Sequence, residues 1–145
     1  MNGDLLPNAD NVVRLCGGSH LDPETGYPGP GAFMLRNDEA YLSVNWLEFF
    51  AQFGHENRLS EIQQVLARKR SIGKTARLAL INIGNAIQIV GNSPLLIFTH
   101  EPIDSPGLIP DPSHSGINNL QGFEQLVAER LSQAVSEVSL ARVEE

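Results

Sequence analysis

The chain has 145 residues, of which 41% are hydrophobic and 19% are charged, a composition typical of a globular domain rather than a disordered segment. Its formal net charge of -7 opposes general association with nucleic acid or anionic lipid. The longest apolar run is too short to cross a bilayer, so we expect no membrane span. The acidic start lacks the basic head and the apolar body that are typical of a secretory signal.

The size of the chain predicts a single α+β domain over residues 1–145, with residues 1–10 forming a flexible leader. The one cysteine, Cys16, has no partner within the chain for a disulfide. This pattern favours a reducing compartment and therefore a cytoplasmic location.

The first strands are predicted from short apolar runs. A β-branched run predicts a strand at 11–16, and the Gly- and Pro-rich stretch 18–31 is typical of a loop. Two further runs, at 32–36 and 41–44, flank a polar turn and predict a β-hairpin.

Two helices are predicted next along the chain. The aromatic residues of 45–53 recur at helical spacing, and Asn45 is positioned as the N-cap of that helix. Ser60, followed by Gln63 three residues later, forms a capping-box pattern at the start of a second helix. The buried stripe of that second helix is predicted to be Ile62, Val65 and Leu66.

The second half predicts a sheet followed by a helix. Apolar runs at 76–83, 86–90 and 95–99 are separated by Gly–Asn pairs, which favours an antiparallel meander over 76–99. Helical spacing then continues over 121–141 and predicts a long C-terminal helix. The expected fold is an α+β domain with an antiparallel sheet of about five to six strands packed with three helices.

Charge is distributed unevenly along the chain. Residues 57–100 hold six basic residues and one acid, or +5, whereas the rest holds four basic and sixteen acidic residues, or -12. One interpretation of segment 68–77 is a solvated helix end, where positive charge suits the helix dipole. The other is a binding patch for an anionic or acidic partner, formed by Arg68, Lys69, Arg70, Lys74 and Arg77.

The segment 99–117 is the strongest candidate for a functional loop. It holds His100 and His114, and its four prolines restrict the backbone. Two imidazoles that titrate near neutral pH are suited to acid–base catalysis, with Asp111 beside them. Ordinary turn chemistry explains the same residues equally simply. Candidate binding residues for this site are Arg14, Arg36 and Glu101.

A second, less favoured catalytic candidate is Cys16, which precedes two glycines and His20. A thiolate there would need a histidine to lower its pKa, and a lone cysteine is more often a small buried apolar residue. The set Cys16, His20, His100 and His114 has the residue types of a zinc site, but its spacing is loose. We therefore predict no metal site, and no pattern identifies a cofactor.

Two functional hypotheses follow from these patterns. The first is a small soluble binding or regulatory protein that engages a protein or an anionic partner, or associates with itself, through the 99–117 loop and the basic 68–77 patch. The alternative is a small hydrolase or transferase that acts on a nucleotide or nucleic acid with His100 and His114 as acid and base. Convergence of the two histidines on one cleft would favour the enzyme.

Overall fold

The protein is described by a computed structural model that covers residues 2–53 and 55–143, apart from the side chains of 52, 53 and 55–57. Within that part, seven antiparallel strands form one sheet in the order β1-β5-β6-β3-β2-β4-β7. The strands are β1 (Asp4–Leu5), β2 (Asn11–Cys16), β3 (Leu42–Trp46), β4 (Arg77–Asn82), β5 (Ile97–His100), β6 (His114–Asn118) and β7 (Val135–Leu140).

Helices cover both faces of the sheet. Three α-helices are described, α1 (His55–Lys69), α2 (Ile83–Val90) and α3 (Glu124–Ala134). Short 3-10 helices lie at Gly18–His20, Pro30–Phe33 and Leu47–Phe53. This architecture confirms the predicted α+β class, the antiparallel sheet and the three helices, with seven strands in place of five or six. No helix in the described ranges has the length and apolarity needed to span a membrane.

The alternation of residues along the strands divides the core in two. Val12 on β2 lies on one face with α2, α3 and the 3-10 helix Pro30–Phe33. Its neighbour Val13 lies on the other face and packs against α1 and the 3-10 helix Leu47–Phe53. Successive side chains of a strand point to opposite faces, so one β-branched run supplies both cores. The predicted stripe of α1, namely Ile62, Val65 and Leu66, is buried as expected.

The predicted hairpin at 32–44 is wrong. Only its second run forms a strand, β3, and that strand pairs with β2 and β6. The first run begins inside the 3-10 helix Pro30–Phe33 and continues without regular structure. Phe33 and Leu35 are buried, so the apolar character of 32–36 reflects burial in a core rather than strand formation.

The predicted meander over 76–99 is also wrong, although two of its three strands exist. The central run forms α2, whose N-terminus is capped by the Asn82 side chain accepting a hydrogen bond from the Asn85 N–H. Strands β4 and β5 are consequently not neighbours in the sheet. A short apolar run without period is compatible with either a strand or a buried helix, and here the Asn cap favours the helix.

The other helix boundaries also differ from the predictions. Asn45 and Trp46 belong to β3, so Asn45 is not an N-cap, and the aromatic residues after them lie on a 3-10 helix. Helix α1 begins before Ser60, which lies inside it. The C-terminal helix ends at Ala134, and the chain continues as β7.

Residues 1–10 were predicted as a leader; residue 1 lies outside the described residues, and the described part of the segment contributes a strand to the sheet. Asp4 and Leu5 pair with β5, and the Gly3 N–H donates to the carbonyl of His100. Leu6 is buried in the larger core. The predicted loop 99–117 is also shorter than expected, because β5 extends to His100 and β6 begins at His114.

Candidate functional site

The main cleft of the described structure lies where β2 and β3 separate. The two strands pair at Val12–Trp46 and Val13–Asn45 but not beyond, although β2 continues to Cys16. The resulting gap, closed by the end of α1 and by residues 31–36, has a volume of about 520 Å³. This volume falls within the roughly 300–1,000 Å³ of sites that bind small organic molecules.

The lining of this cleft is strongly basic. Four residues with a fixed positive charge line it, namely Arg14, Arg36, Lys69 and Arg70. Two histidines, His20 and His114, line it as well, whereas the described lining includes no Asp or Glu. A protein with a net charge of -7 thus concentrates four of its ten Lys and Arg side chains in one concave site. Low-dielectric walls around like charges strengthen the attraction for an anion.

Arg14 is held rigidly at the wall of the cleft. Its Nε donates to the Ala32 carbonyl at 3.0 Å and its Nη1 to the Ser43 carbonyl at 2.7 Å. The guanidinium bridges the gap between the separated strands. Burial lowers the pKa of Arg14 from its usual value, as expected for a cation removed from water. Within the described part of the chain, no carboxylate forms a salt bridge with it.

Lys69, which is partly exposed at the cleft, forms an ion pair with Asp111 behind it. The Lys69 Nζ lies 2.8 Å from Asp111 Oδ2, and the Asp111 side chain is fully buried. Asn45 Nδ2 donates to Asp111 Oδ1 and to Ser113 Oγ, both at 2.9 Å. The candidate catalytic residue Asp111 therefore links the end of α1 to β3 and to the turn before β6.

His114 is the predicted catalytic residue that the structure places in the cleft. It is the first residue of β6 and lies directly opposite Asn45 of β3. Its Nδ1 lies 2.9 Å from the Glu101 carbonyl. A carbonyl oxygen only accepts hydrogen bonds, so Nδ1 carries the proton and the neutral ring keeps its lone pair on Nε2. Burial lowers the pKa of His114.

The two histidines of the proposed acid–base pair do not converge. His100 lies opposite Ser115, the residue that follows His114, so their side chains project from opposite faces of the sheet. The His100 ring packs against Trp46 and Phe49, with ring centroids 5.1 and 5.6 Å apart, and its Nε2 donates to the Pro112 carbonyl. His114 instead packs near Tyr41.

Cys16 does not line the cleft, although it ends the same strand as Arg14. Its side chain is 1% exposed, and burial raises its pKa to about 11. A thiol in this environment stays protonated at neutral pH, which is unsuited to a nucleophile. The set Cys16, His20, His100 and His114 is not gathered into a cluster, and no three potential metal ligands of the described residues come together.

The remaining predicted binding residues lie outside the cleft. Arg68 and Lys74 are exposed, and Arg77 donates to the carbonyls of Lys74 and Ala76. The Glu101 carboxylate accepts from the Thr99 hydroxyl. Only Lys69 and Arg70 of the 68–77 patch therefore join Arg14 and Arg36 at the cleft.

Two polar residues of the site were not identified as site residues from the sequence. The Ser43 carbonyl accepts a hydrogen bond from Arg14, and the Asn45 side-chain amide donates to Asp111 and Ser113. Asn45 is 5% exposed. Because buried polar side chains are almost always hydrogen-bonded, a buried Asn in a strand indicates a local hydrogen-bond network, but this signal could be used only once the strand was known.

Comparisons of the chain with protein-family models, with curated proteins and with solved structures find no match. The fold and the site are those of an α+β domain with a cationic cleft where two antiparallel strands separate.

Proposed function

We propose that the protein binds a small anionic molecule in this cleft. The observation that carries the proposal is the group of four fixed positive charges around a concave site whose described lining holds no carboxylate. Lys69 is paired with Asp111, but Arg14, Arg36 and Arg70 form no salt bridge among the described residues. Like charges without counter-ions repel each other, and an anionic ligand removes that repulsion. The sequence predicted a protein or an anionic partner, and this proposal specifies an anionic molecule small enough to fit the cleft.

Arg14 supports the proposal further. A partly buried cation without a carboxylate partner has lost some of its hydration, and it gains more from an anion than a fully solvated cation does. Its two bonds to backbone carbonyls also hold the guanidinium in place before a ligand arrives. Preorganised donors lose less side-chain entropy on binding.

The hydrolase or transferase alternative receives less support. It needs His100 and His114 within reach of the same substrate, whereas the register places them on opposite faces of the sheet. The anion-binding proposal uses His114 of the predicted loop and residues 69–70 of the basic patch.

Charge reversal at Arg70 tests the proposal with inorganic sulfate as the probe. We expect Arg70→Glu to weaken sulfate binding about tenfold at about 0.1 M ionic strength, because the reversal changes two charges, each worth roughly 1.4 kcal/mol against the sulfate dianion at about 6 Å in water, and screening roughly halves the sum. Isothermal titration calorimetry at about 0.1 M ionic strength, where the Debye length is about 10 Å, measures the change.

Arg68→Glu is the matched control for that experiment. Arg68 is exposed on the same helix end, and the substitution alters the net charge equally, but Arg68 does not line the cleft. We expect it to weaken sulfate binding less than about twofold, since screening reduces the effect of distant charges. Equal losses in the two variants, or no sulfate binding by the parent protein, would contradict a specific site.

The affinity for sulfate is expected to rise as the pH falls from 8 to 6. Burial lowers the pKa of His114 in the free protein, and a neighbouring anion favours the imidazolium, so binding is coupled to proton uptake. Because sulfate keeps its charge between pH 8 and 6, a change in its affinity over this range arises from the protein. His114→Asn should remove most of the dependence, whereas His20→Asn at the exposed rim should leave most of it. A steep dependence that persists in His114→Asn would contradict this assignment.

A further inference from the structure

The separation of β2 from β3 leaves backbone groups of β2 facing the cleft. In an antiparallel sheet the N–H and C=O of one residue point to the same neighbouring strand, and successive residues alternate between the two neighbours. The Ser136 hydroxyl donates to the Leu80 carbonyl, so Leu80 faces β7 and its neighbour Ala79 faces β2. Ala79 lies opposite Arg14, so Arg14 bonds to β4 and the next residue, Leu15, faces the gap.

Strand β3 turns backbone groups toward the same gap. The Trp46 N–H donates to the Ser113 carbonyl beside β6, so by alternation Ser43 faces β2. The Ser43 carbonyl accepts from Arg14 Nη1, whereas its N–H has no hydrogen-bond partner among the described residues. The ladder of β2 and β3, if continued, would pair Leu15 with Ser43, but the strands separate before that level.

The gap therefore offers the N–H and C=O of Leu15 and the N–H of Ser43, and both residues line the cleft. Sulfate and simple carboxylates only accept hydrogen bonds, so they leave the Leu15 carbonyl without a donor. An extended peptide residue carries a donor and an acceptor on one side, which is the arrangement that strand addition uses. The backbone of the gap thus matches a peptide better than an inorganic anion.

The cations of the cleft lie on both faces of the sheet. Arg14 bonds to the 3-10 helix Pro30–Phe33 on one face, whereas Arg70 follows α1 on the other. Successive side chains of an extended peptide point to opposite faces, so two adjacent acidic residues would meet one cation each. Leu66 and Ile72 line the cleft on the α1 face and offer an apolar contact to a flanking residue.

We propose that the ligand of the cleft is an extended peptide segment with two adjacent acidic residues, which pairs with the backbone of Leu15. This inference rests on the proposed anion binding and specifies the class of anion. The cleft volume of about 520 Å³ suits a segment of a few residues rather than a folded domain.

Tetrapeptides blocked at both ends test the inference by isothermal titration calorimetry. Acetyl-Leu-Glu-Glu-Leu-amide is the probe, and its Gln-Gln analogue is expected to bind at least about tenfold more weakly because it has no charge. The isomer acetyl-Glu-Leu-Glu-Leu-amide has the same composition but presents both acids to one face, and we expect it to bind about fivefold more weakly. Equal affinities of the two isomers would overturn the extended pairing.

Methylation of single peptide nitrogens tests the backbone pairing. Only one of the two Glu N–H groups can point to the Leu15 carbonyl, and we expect its methylation to weaken binding about five- to tenfold. The other Glu N–H points toward Ser43, whose carbonyl is already bonded to Arg14, so its methylation is expected to cost less than about twofold. Equal losses at the two positions would contradict pairing with Leu15.

Hydrogen exchange followed by NMR tests the open edge in the free protein. Arg14 and Cys16 bond to β4, whereas Leu15 faces the gap, so the Leu15 amide is expected to exchange at least about tenfold faster than theirs. Saturation with the acidic tetrapeptide should slow the exchange of Leu15 to the range of its neighbours. A Leu15 amide as protected as Arg14 and Cys16 before any peptide is added would overturn the inference.

The outcomes distinguish this inference from the proposed function. If sulfate binds but the acidic tetrapeptide binds no more tightly than its uncharged analogue, the peptide is excluded and anion binding stands. If neither sulfate nor the acidic tetrapeptide binds, both proposals fail.

Discussion

Lys69→Met is expected to reduce the free energy of unfolding by about 3–5 kcal/mol, because it leaves the buried Asp111 carboxylate without its cation. Asp111 keeps the amide donor of Asn45, but one neutral hydrogen bond does not replace an ammonium group at 2.8 Å. The substitution keeps the length and apolar stem of the side chain, so little packing is lost. Urea denaturation followed by circular dichroism measures the change.

Two further variants isolate the ion pair from other effects. Arg68→Met removes an exposed charge from the neighbouring position of α1 and is expected to change stability by less than about 0.5 kcal/mol. The double variant Lys69→Met with Asp111→Asn removes both charges and is expected to be more stable than Lys69→Met alone, since no uncompensated charge remains. A double variant less stable than Lys69→Met would show that the carboxylate is not the source of the loss.

The parts of the fold that could be predicted from the sequence are those with a clear local signal. The strand at 11–16 was predicted correctly from its β-branched run, and the stripe Ile62, Val65 and Leu66 from its helical spacing. The run 86–90 was assigned wrongly because five residues are too few to show a helical period, which is visible only over the whole of α2, where Ile83, Ala86 and Val90 are buried. Its assignment depended on the cap at Asn82, which precedes the run.

The C-terminal boundary shows a different difficulty. Val135 and Val138 continue the helical spacing of α3, yet they lie on β7, which pairs with β4 along the edge of the sheet. Backbone hydrogen bonds to β4 determine the conformation there, and such pairing between distant segments leaves no local signal. The chain therefore changes from helix to strand at Ala134 without a glycine or proline to mark the change.

The site could be predicted only in pieces. Arg14, Arg36 and the 68–77 patch were each candidates for binding, but they come from segments that the tertiary fold brings together where β2 and β3 separate. That separation has no sequence signature. The histidine pair was misleading for the same reason, because its geometry depends on the register of β5 against β6, which residue spacing does not give.

The second large effect is expected at Phe33, which connects the core to the cleft. Phe33 is fully buried among residues of α3 and the sheet, and its neighbour Ala32 supplies the carbonyl that holds Arg14. Phe33→Ala is expected to lower the free energy of unfolding by about 3–5 kcal/mol, the range for deleting a buried aromatic side chain. Urea denaturation measures this loss directly.

Phe33→Leu is the matched variant, because it keeps an apolar side chain and is expected to lose less than half as much stability as Phe33→Ala. The consequence for the site is a weaker anchor for the Ala32 carbonyl, so the Arg14 guanidinium becomes less preorganised in Phe33→Ala than in Phe33→Leu. We therefore expect sulfate affinity, measured well below the unfolding midpoint, to fall in the same order as stability. If sulfate affinity is unchanged in a folded Phe33→Ala protein, the position of Arg14 does not depend on this core contact, and the cleft is organised from β2 and β3 alone.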